Sequence, residues 1–380
     1  MPGKDILSVA VVGGGAIGSA AAWRLAARGH RVVLFEQYEA GHIRGASHGS
    51  SRIFRYTYPV AEYITLAERA GRLWRRLERL DGQRFYARTG AVDHGDPVQV
   101  GRLARALADA GIKYALLSPK AATQQWPGLR FDSMVLHHPE AGRLHADLAV
   151  AAVQRRARVE GAQTWFHTPA TGLRVSPSGV RVLTASGSIR FDQVVVAAGA
   201  WTPDVLAAVP QVPGQLPPLV TTQEQPVHFT PVETPVGWPS FLHHPGAEYR
   251  GAGVYGLATP DGVKVGEHGT GPRTTPQSRD FLPDPAGVAR LQEYAAQWLP
   301  GVEPAAPRVT TCLYTSTPDR NFVVDRRGPI TVAAGFSGHG FKFAPAIGEL
   351  VADLVTGTGD APDLFRLRPR APTPVPAGRT

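Results

Sequence analysis

A glycine-rich turn between two predicted strands and a helix is the feature that most limits how this chain can fold. An apolar, β-branched strand over residues 6–12 leads into Gly13-Gly14-Gly15-Ala16-Ile17-Gly18, which has the spacing G-x-G-x-x-G. A helix is predicted over 19–28 and a second strand over 31–35. In such a βαβ unit the glycines allow a tight turn, a close approach of the backbone to a pyrophosphate, and close packing of helix on strand. The sequence therefore predicts a Rossmann-like dinucleotide site.

An acidic residue follows this unit. Glu36 closes the second predicted strand, where a carboxylate can bind both hydroxyls of an adenosine ribose and disfavours the 2′-phosphate of NADP. FAD and NAD share this fingerprint, so the turn leaves both open, and a glycine turn without a ligand is the third alternative. The residues expected to contact the dinucleotide here are Gly13, Gly14, Gly15, Ala16, Ile17, Gly18, Glu36 and Gln37.

Composition argues against several other classes of protein. The chain has 380 residues, 43% of them hydrophobic, which is enough for a large core and typical of two domains. Its formal net charge of +9 would permit a nucleic-acid partner, but the basic residues are spread without a cluster, so we expect neither nucleic acid nor a membrane to be bound. The single cysteine, Cys312, excludes intramolecular disulfides and cysteine-type zinc sites, and we expect no metal and a reducing cytoplasm.

Apolar periodicity predicts the remaining elements. Helices are expected over 62–80, 98–110, 147–160, 286–298 and 345–356, strands over 84–94, 194–198, 309–314, 321–324 and 330–334, a hairpin or meander over 173–192, and two strands within 254–267.

Several longer motifs resemble one family. They are Ser47-His48-Gly49-Ser50-Ser51-Arg52-Ile53-Phe54-Arg55, Gln125-Trp126-Pro127-Gly128, Ala198-Gly199-Ala200-Trp201, Val263-Lys264-Val265-Gly266-Glu267-His268, Cys312-Leu313-Tyr314-Thr315, and Gly335-Phe336-Ser337-Gly338-His339-Gly340-Phe341-Lys342-Phe343. With the glycine turn, they make the chain similar over nearly its whole length to the amine-oxidising flavoproteins typified by monomeric sarcosine oxidase and N-methyltryptophan oxidase. The resemblance implies FAD rather than NAD.

The resemblance also implies a fold. We expect an α/β protein with a Rossmann-like FAD-binding domain and an interleaved substrate domain of α+β type, built on an antiparallel sheet. The expected boundaries are 1–80, 145–215 and 305–367 for the discontinuous FAD-binding domain, 81–144 and 216–304 for the substrate domain, and 368–380 for a frayed tail.

For the cofactor, the resemblance implies a covalent bond between the flavin and Cys312. The alternative for this residue is an ordinary buried cysteine that behaves as a small hydrophobe. Further flavin contacts are implied for Ser47, His48, Arg52, Ala170, Gly199, Trp201, Gly335, Gly338, His339, Gly340, Phe341 and Lys342.

For the substrate, the resemblance implies that Arg55 and Lys342 bind a carboxylate, which suits the donor geometry of a guanidinium and the point charge of an ammonium. Lys264 is implied to activate oxygen and Arg52 to stabilise the reduced flavin, while Tyr255, His268, Tyr314 and His339 are implied to line the pocket. The alternatives are a solvated turn lysine at Lys342 and an exposed strand lysine at Lys264.

The implied activity is an FAD-dependent oxidase of a secondary amine that carries a carboxylate, such as sarcosine. A hydride equivalent would pass to flavin N5, the imine would hydrolyse, and O2 would be reduced to H2O2. A monomer is expected. The alternatives are a related oxidase acting on N-methyltryptophan, pipecolate or proline, glycine or a glycated amino acid, a flavin-dependent tRNA-modifying protein, and a flavin-binding protein without turnover. Two loops depart from the family, at residues 58–62 and between Tyr255 and Lys264, and both bear on the identity of the substrate.

Overall fold

The computed structural model describes residues 6–209, 212, 216–235, 237–246 and 253–368. Within these ranges the helices are α1 (Ala16–Ala26), α2 (Ala61–Asp81), α3 (Pro97–Asp109), α4 (Pro119–Gln125), α5 (Ala146–Val159), α6 (Thr202–Leu206), α7 (Pro285–Trp298) and α8 (Ala344–Thr356). Short 3₁₀ turns cover Gly199–Trp201, Phe341–Phe343 and Asp363–Phe365.

The strands of the described residues fall into five sheets. They are β1 (Ser8–Val12), β2 (Arg31–Phe35), β3 (Arg52–Phe54), β4 (Tyr86–Ala87), β5 (Ala91–Gly95), β6 (Ala115–Leu117), β7 (Val135–His138), β8 (Gly142–Leu144), β9 (Gln163–Trp165), β10 (Gly172–Ser176), β11 (Gly179–Thr184), β12 (Gly187–Phe191), β13 (Gln193–Val196), β14 (Val220–Glu224), β15 (Val227–Pro231), β16 (Ser240–His244), β17 (Val254–Thr259), β18 (Gly262–Glu267), β19 (Val302–Val309), β20 (Cys312–Ser316), β21 (Val323–Arg327) and β22 (Ile330–Ala334).

A six-stranded sheet with the order β21-β22-β13-β1-β2-β9 contains the glycine turn. Its strands are parallel except for β21, which is antiparallel to β22. Val9 and Val11 of β1 pack against the helices, whereas Ala10 and Val12 pack on the other side toward the meander β10–β12. Because strand side chains alternate between faces, a strand covered on both sides is apolar throughout, as β1 is.

An eight-stranded sheet with the order β19-β15-β18-β17-β16-β5-β7-β6 forms the second layer. Val263 and Val265 of β18 lie in an apolar core with helix α7, and Lys264 between them points to the opposite face. The sheet is antiparallel except where β5 runs parallel to β16. The expected antiparallel sheet is therefore correct for all but this one pair.

Elements with strong apolar periodicity are predicted correctly. The strand over 31–35, the two strands within 254–267 and the strand over 330–334 are confirmed, and 173–192 is a three-stranded meander. Helix α1 begins at Ala16, three residues before its predicted start, because the glycine turn itself enters the helix.

Two predicted strands are wrong. The segment 84–94 contains two strands, β4 and β5, in different sheets, because Gly90 takes a φ of +75° and the chain turns there. The segment 309–314 joins the end of β19 to the start of β20. The expected frayed tail lies outside the described residues except for Arg368.

None of the helices in the described ranges combines the length and the apolar composition needed to cross a bilayer. The same ranges hold no group of three or more histidine, cysteine, aspartate or glutamate side chains arranged to bind a metal ion.

Helices α1 and α8 approach so closely that a glycine is required between them. A Cβ atom added at Gly348 would lie 2.6 Å from the carbonyl carbon and oxygen of Ala20. We expect Gly348→Ala to push the two helices apart and to lower the free energy of unfolding by about 1–3 kcal/mol, measured by urea denaturation. The matched control is Gly101→Ala in helix α3, where nothing lies within 4 Å of the added methyl group. It should raise the free energy of unfolding by about 0.5–1 kcal/mol. Equal effects of both variants would contradict this account of the α1–α8 contact.

Candidate active site

A cavity of about 990 Å³ lies between the two large sheets. One wall is formed by the carboxyl ends of β1, β2, β13 and β22, and the other by β16, β17 and β18. Ligands of open α/β sheets bind at the carboxyl ends of the strands, where the turns leave a crevice. All predicted site residues line this cavity except Gly18, which instead packs against the carbonyl group of Gly13.

The first strands fix the geometry of the dinucleotide end. Glu36 accepts hydrogen bonds from the backbone N–H groups of Gly14, at 2.8 Å, and Tyr38, at 3.0 Å. Burial alone would raise the pKa of Glu36, but these bonds and the neighbouring His42 outweigh it, and the pKa is lowered. The carboxylate is therefore ionised next to the glycine turn.

A second loop closes over the start of helix α1. Ser47 Oγ accepts a hydrogen bond of 3.0 Å from the Ala16 N–H, so this loop is tied to the helix terminus. Arg52 donates to the carbonyl groups of Ala46 and His48, at 2.8 and 2.7 Å, and its guanidinium lies over the ring of Phe341. These bonds hold Arg52 in the cavity wall.

His48 is a neutral group in this wall. Burial lowers the pKa of its imidazole to about 3, and the positive charges of Arg52 and Arg279 add to the effect. Its Nε2 atom is buried and has no hydrogen-bond partner among the described residues. A buried polar atom without a partner is costly, which favours a ligand with a polar group at this point.

Cys312 of β20 and Lys264 of β18 both line the cavity. Burial raises the pKa of the Cys312 thiol, while Arg52 and Lys264 act in the opposite direction. Burial and the charge of Arg52 together lower the pKa of Lys264 to about 7, against an opposing effect of Cys312. In the described part of the chain, Lys264 forms no ion pair, and it is only 8% exposed.

Lys342 and Arg55 come together at another part of the cavity. Lys342 Nζ donates to the hydroxyl group of Tyr58, at 2.9 Å, and to the carbonyl group of His339, at 2.8 Å. Arg55 donates to the backbone carbonyl and side chain of Thr57, and its guanidinium lies 4.4 Å from the ring centre of Tyr58. Burial and the charge of Arg55 lower the pKa of Lys342.

No carboxylate of the described residues pairs with either cation. The sequence suggests that a buried lysine at this position needs an anionic partner, and the partners found are neutral oxygen atoms. The two side chains therefore form a cationic site that an anion can complete. Lys342 is not the solvated turn lysine of the alternative interpretation, since it is 6% exposed.

The four predicted aromatic and imidazole residues surround this site. The rings of His268 and Tyr314 are 5.3 Å apart, Tyr255 lies on the neighbouring strand β17, and His339 is 3.4 Å from the Tyr58 hydroxyl. Burial lowers the pKa of His268 to about 4, and the charges of Arg320, Arg55 and Lys342 contribute, so the imidazole is neutral. The shorter loop after Tyr255 does not remove this residue from the cavity.

Several residues of the site were not predicted from the sequence. Gln154 of helix α5 donates to the Gly14 carbonyl at 2.9 Å and so supports the glycine turn. Tyr58 connects the two cations, and Leu242 and His244 of β16 also line the cavity. Tyr58 follows Arg55 by three residues within a noted departure from the family pattern, which is a signal that could have found it. Gln154 lies in an ordinary amphipathic helix and carries no such signal.

The residues present fit a flavin dinucleotide. A Cβ atom on Gly14 or Gly15 would lie about 3.0 Å from the side chains of Glu36 or Ser47, so glycine keeps the cradle open. The amino end of helix α1 faces the cavity, as in sites that bind a pyrophosphate. The lone cysteine and the cations beside it lie in the same cavity.

Fold and site together define a class. The chain belongs to the DAO family of FAD-dependent oxidoreductases, whose profile matches residues 8–354. The predicted resemblance, the fold class and the FAD cofactor are thereby confirmed.

Individual relatives are similar along their whole length. Monomeric sarcosine oxidase of Streptomyces avermitilis is 34% identical over 382 residues, which cover 97% of this chain and 98% of the relative. N-methyl-L-tryptophan oxidase of Salmonella heidelberg is 29% identical, covering 94% and 97%. Among solved structures, NikD, an unusual amino acid oxidase essential for nikkomycin biosynthesis, has a TM-score of 0.83 at 26% identity and covers 97% of this chain and 98% of that chain.

Proposed function

We propose that this protein oxidises a small secondary amine that carries a carboxylate, such as sarcosine or another N-methyl amino acid. The observation that carries the proposal is the cationic site of Arg55 and Lys342, which has no carboxylate partner in the described residues. A guanidinium and an ammonium together can orient a carboxylate through charge-assisted hydrogen bonds. The substrate would then be held at its acid group, with its amine elsewhere in the cavity.

When bound, FAD supplies the acceptor for the two electrons of the amine and transfers them to oxygen. The protein residues position the reactants and set the charge around them. Arg52 and Lys264 provide positive charge in the cavity wall, which stabilises negative charge that develops there. His268 and His339 are neutral, so neither imidazole repels a cationic amine.

Covalent attachment through Cys312 is part of the proposal. Its thiol is the only one in the chain and lines the cavity. Burial raises its pKa, which disfavours the thiolate, but Arg52 and Lys264 offset part of that penalty. The positive charge needed for a reactive thiolate is therefore available.

The proposal also covers the electron acceptor, the oligomeric state, the location of the protein and its domain boundaries. We propose O2 as the acceptor, a monomeric protein and a cytoplasmic location, supported by the name and full-length similarity of the Streptomyces relative and by the single cysteine. We also propose the predicted domain boundaries as the division between cofactor and substrate domains.

A larger or cyclic amino acid is the second candidate substrate. The rings of Tyr58 and His339 lie 5.8 Å apart in the cavity wall, and Tyr63 stacks on Tyr58 from behind, at 5.2 Å between ring centres. Such a surface packs well against an aromatic or saturated ring. The similarity to an N-methyltryptophan oxidase agrees with this candidate.

The carboxylate role predicts a selective loss. Arg55→Ala should raise the dissociation constant for carboxylated amines roughly tenfold to a hundredfold, because a charge-assisted interaction is lost, and should change it little for neutral amines. The measurement is flavin bleaching under anaerobic conditions with sarcosine, N-methyltryptophan, proline, pipecolate, glycine and neutral N-methyl amines. Arg84→Ala, an exposed arginine, is the control. An equal loss on neutral and carboxylated amines would contradict the role of Arg55, and no bleaching by any amine would contradict the proposed function.

The covalent link predicts a difference in how flavin is released. Wild-type protein should keep its yellow colour in the pellet after acid precipitation, because a thioether survives acid. Cys312→Ser should bind FAD but release it into the supernatant. The measurement is flavin absorbance in both fractions after matched loading. Release of equal flavin from both proteins would show that Cys312 forms no bond.

The pKa of Lys264 predicts the pH dependence of oxygen reduction. Burial and Arg52 place this pKa near 7, so the side chain is cationic below that pH and neutral above it. The rate constant for reoxidation by O2 in stopped-flow experiments should therefore fall as the pH rises through this range. Lys264→Met should lower the rate roughly 10²-fold or more and remove this pH dependence, as expected when a charge that stabilises the transition state is lost. Lys120→Met, an exposed lysine, is the control. A slower reductive step with unchanged reoxidation would overturn the role.

A further inference from the structure

Two side chains that the proposed function does not use form a hydrogen-bonded pair at the cavity wall. Asp93 of β5 and His244 of β16 approach to 2.7 Å between Oδ1 and Nε2. The aspartate is fully buried at 0% exposure, and the histidine lines the cavity. A carboxylate buried this completely is costly unless it is paired, so its position calls for an explanation.

The register of the sheet places the pair on the same face as the proposed catalytic residues. Asp93 lies opposite Leu242 in the parallel pair of β5 and β16, and Leu242 lies opposite Tyr255 in the antiparallel pair of β16 and β17. Since side chains alternate along a strand, His244 shares the face of Leu242, and Lys264 lies opposite Leu257, which shares the face of Tyr255. The Asp93–His244 pair is therefore part of the sheet surface that covers the cavity.

The pair adds a buried carboxylate behind a cavity wall that also holds Lys264. Within the described ranges, no lysine or arginine forms an ion pair with Asp93, and its Oδ2 atom is buried without a hydrogen-bond partner. Burial raises the pKa of Tyr58 to about 12, Arg55 lowers it, and the charge of Asp93 raises it, so Asp93 lies within electrostatic reach of Tyr58. Tyr58 in turn accepts a hydrogen bond from Lys342.

The hydrogen bond between Asp93 and His244 also determines whether His244 offers a ligand a hydrogen-bond donor or an acceptor. Asp93 is an acceptor, so the Nε2 atom of His244 must carry the proton that it shares with the carboxylate. In a neutral imidazole, the Nδ1 atom is then an acceptor. In the part of the chain that the structure describes, no donor is bonded to this Nδ1 atom.

From these contacts we propose that Asp93 and His244 form a subsite for the side chain or N-substituent of the substrate, and that this subsite selects a group that donates a hydrogen bond, such as an ammonium or a hydroxyl. The cavity then has two ends of opposite character. Arg55 and Lys342 bind the acid group, and His244 accepts a hydrogen bond from the other end of the same substrate molecule. The orientation of the substrate rests on the proposed function, while the selectivity of the subsite does not require turnover.

The test uses pairs of ligands that differ only in the group at the end opposite the carboxylate. Isothermal titration of the flavin-loaded protein compares unbranched ω-amino and ω-hydroxy carboxylates of three to six carbons with unbranched alkanoates of matching length. Wild-type protein should bind the donor-bearing ligand of the best-fitting length about tenfold more tightly than its alkanoate, because a hydrogen bond with a charged partner is gained. His244→Leu should abolish this preference without weakening the binding of the alkanoate.

Further variants separate a ligand-binding role from a structural one. His244→Gln keeps an acceptor and should retain part of the preference, and Asp93→Asn should reduce the preference for the ammonium ligand most. His137→Leu is the control, since this side chain lies on the other face of the neighbouring strand β7 against Trp126. A pair that only ties two strands together would lower the unfolding temperature on His244→Leu and leave the ratio of affinities unchanged.

The outcomes distinguish this subsite from the proposed function. No preference in wild-type protein at any chain length, or a preference that survives His244→Leu, overturns the subsite even if N-methyl amino acids are oxidised. A preference that depends on His244, in a protein whose flavin no amine reduces, supports the subsite and overturns the oxidase assignment alone. Arg55→Ala should weaken the binding of both ligands of a pair by the same factor, and this result reports on the carboxylate end.

Discussion

Close contact of backbone with backbone at the β1–α1 turn is the constraint on which the cofactor end depends. Gly13 takes a φ of +106°, Gly18 packs on its carbonyl group, and the Gly14 N–H is bonded to the carboxylate of Glu36. Side chains at these positions would separate the helix from the strand. With the turn closed, the amino end of α1 faces the cavity, and the Glu36 carboxylate is held against the glycine turn.

Buried positive charge is the second constraint, and it opposes stability. Lys264 and Lys342 are each less than 10% exposed and have no carboxylate partner in the described residues. Their pKa values are lowered from 10.5, to about 7 for Lys264, so the unfolded chain binds more protons than the folded one between these limits. The free energy of unfolding therefore rises with pH over that range, and bound anions offset the cost at lower pH. This cost is consistent with a site built for anionic ligands.

The extent to which the site could be predicted depends on the kind of signal. Gly13 and Glu36 lie in a motif whose residue types and spacing carry the chemistry, so the sequence was sufficient to predict that they share a site, whereas Cys312 was placed with them only through the family resemblance. The pairing of Asp93 with His244 could not be predicted, since it depends on a parallel register between strands about 150 residues apart. The break of the predicted strand 84–94 into β4 and β5 was also missed. Only the backbone turn at Gly90 shows that its two halves belong to different sheets.

Side chains of the eight-stranded sheet alternate between the apolar core and the cavity, which explains how such a site can change without loss of the fold. On β16, Phe241 lies in the apolar core, and His243 is bonded to Tyr294 of helix α7 at 3.2 Å. Leu242 and His244, at the positions between and after them, line the cavity. Because the two faces of one strand are independent in this way, substitution on the cavity face alters what the wall recognises while the core contacts stay in place. Single positions on the cavity face of β16 and β17 can therefore vary more freely than the backbone geometry of the glycine turn.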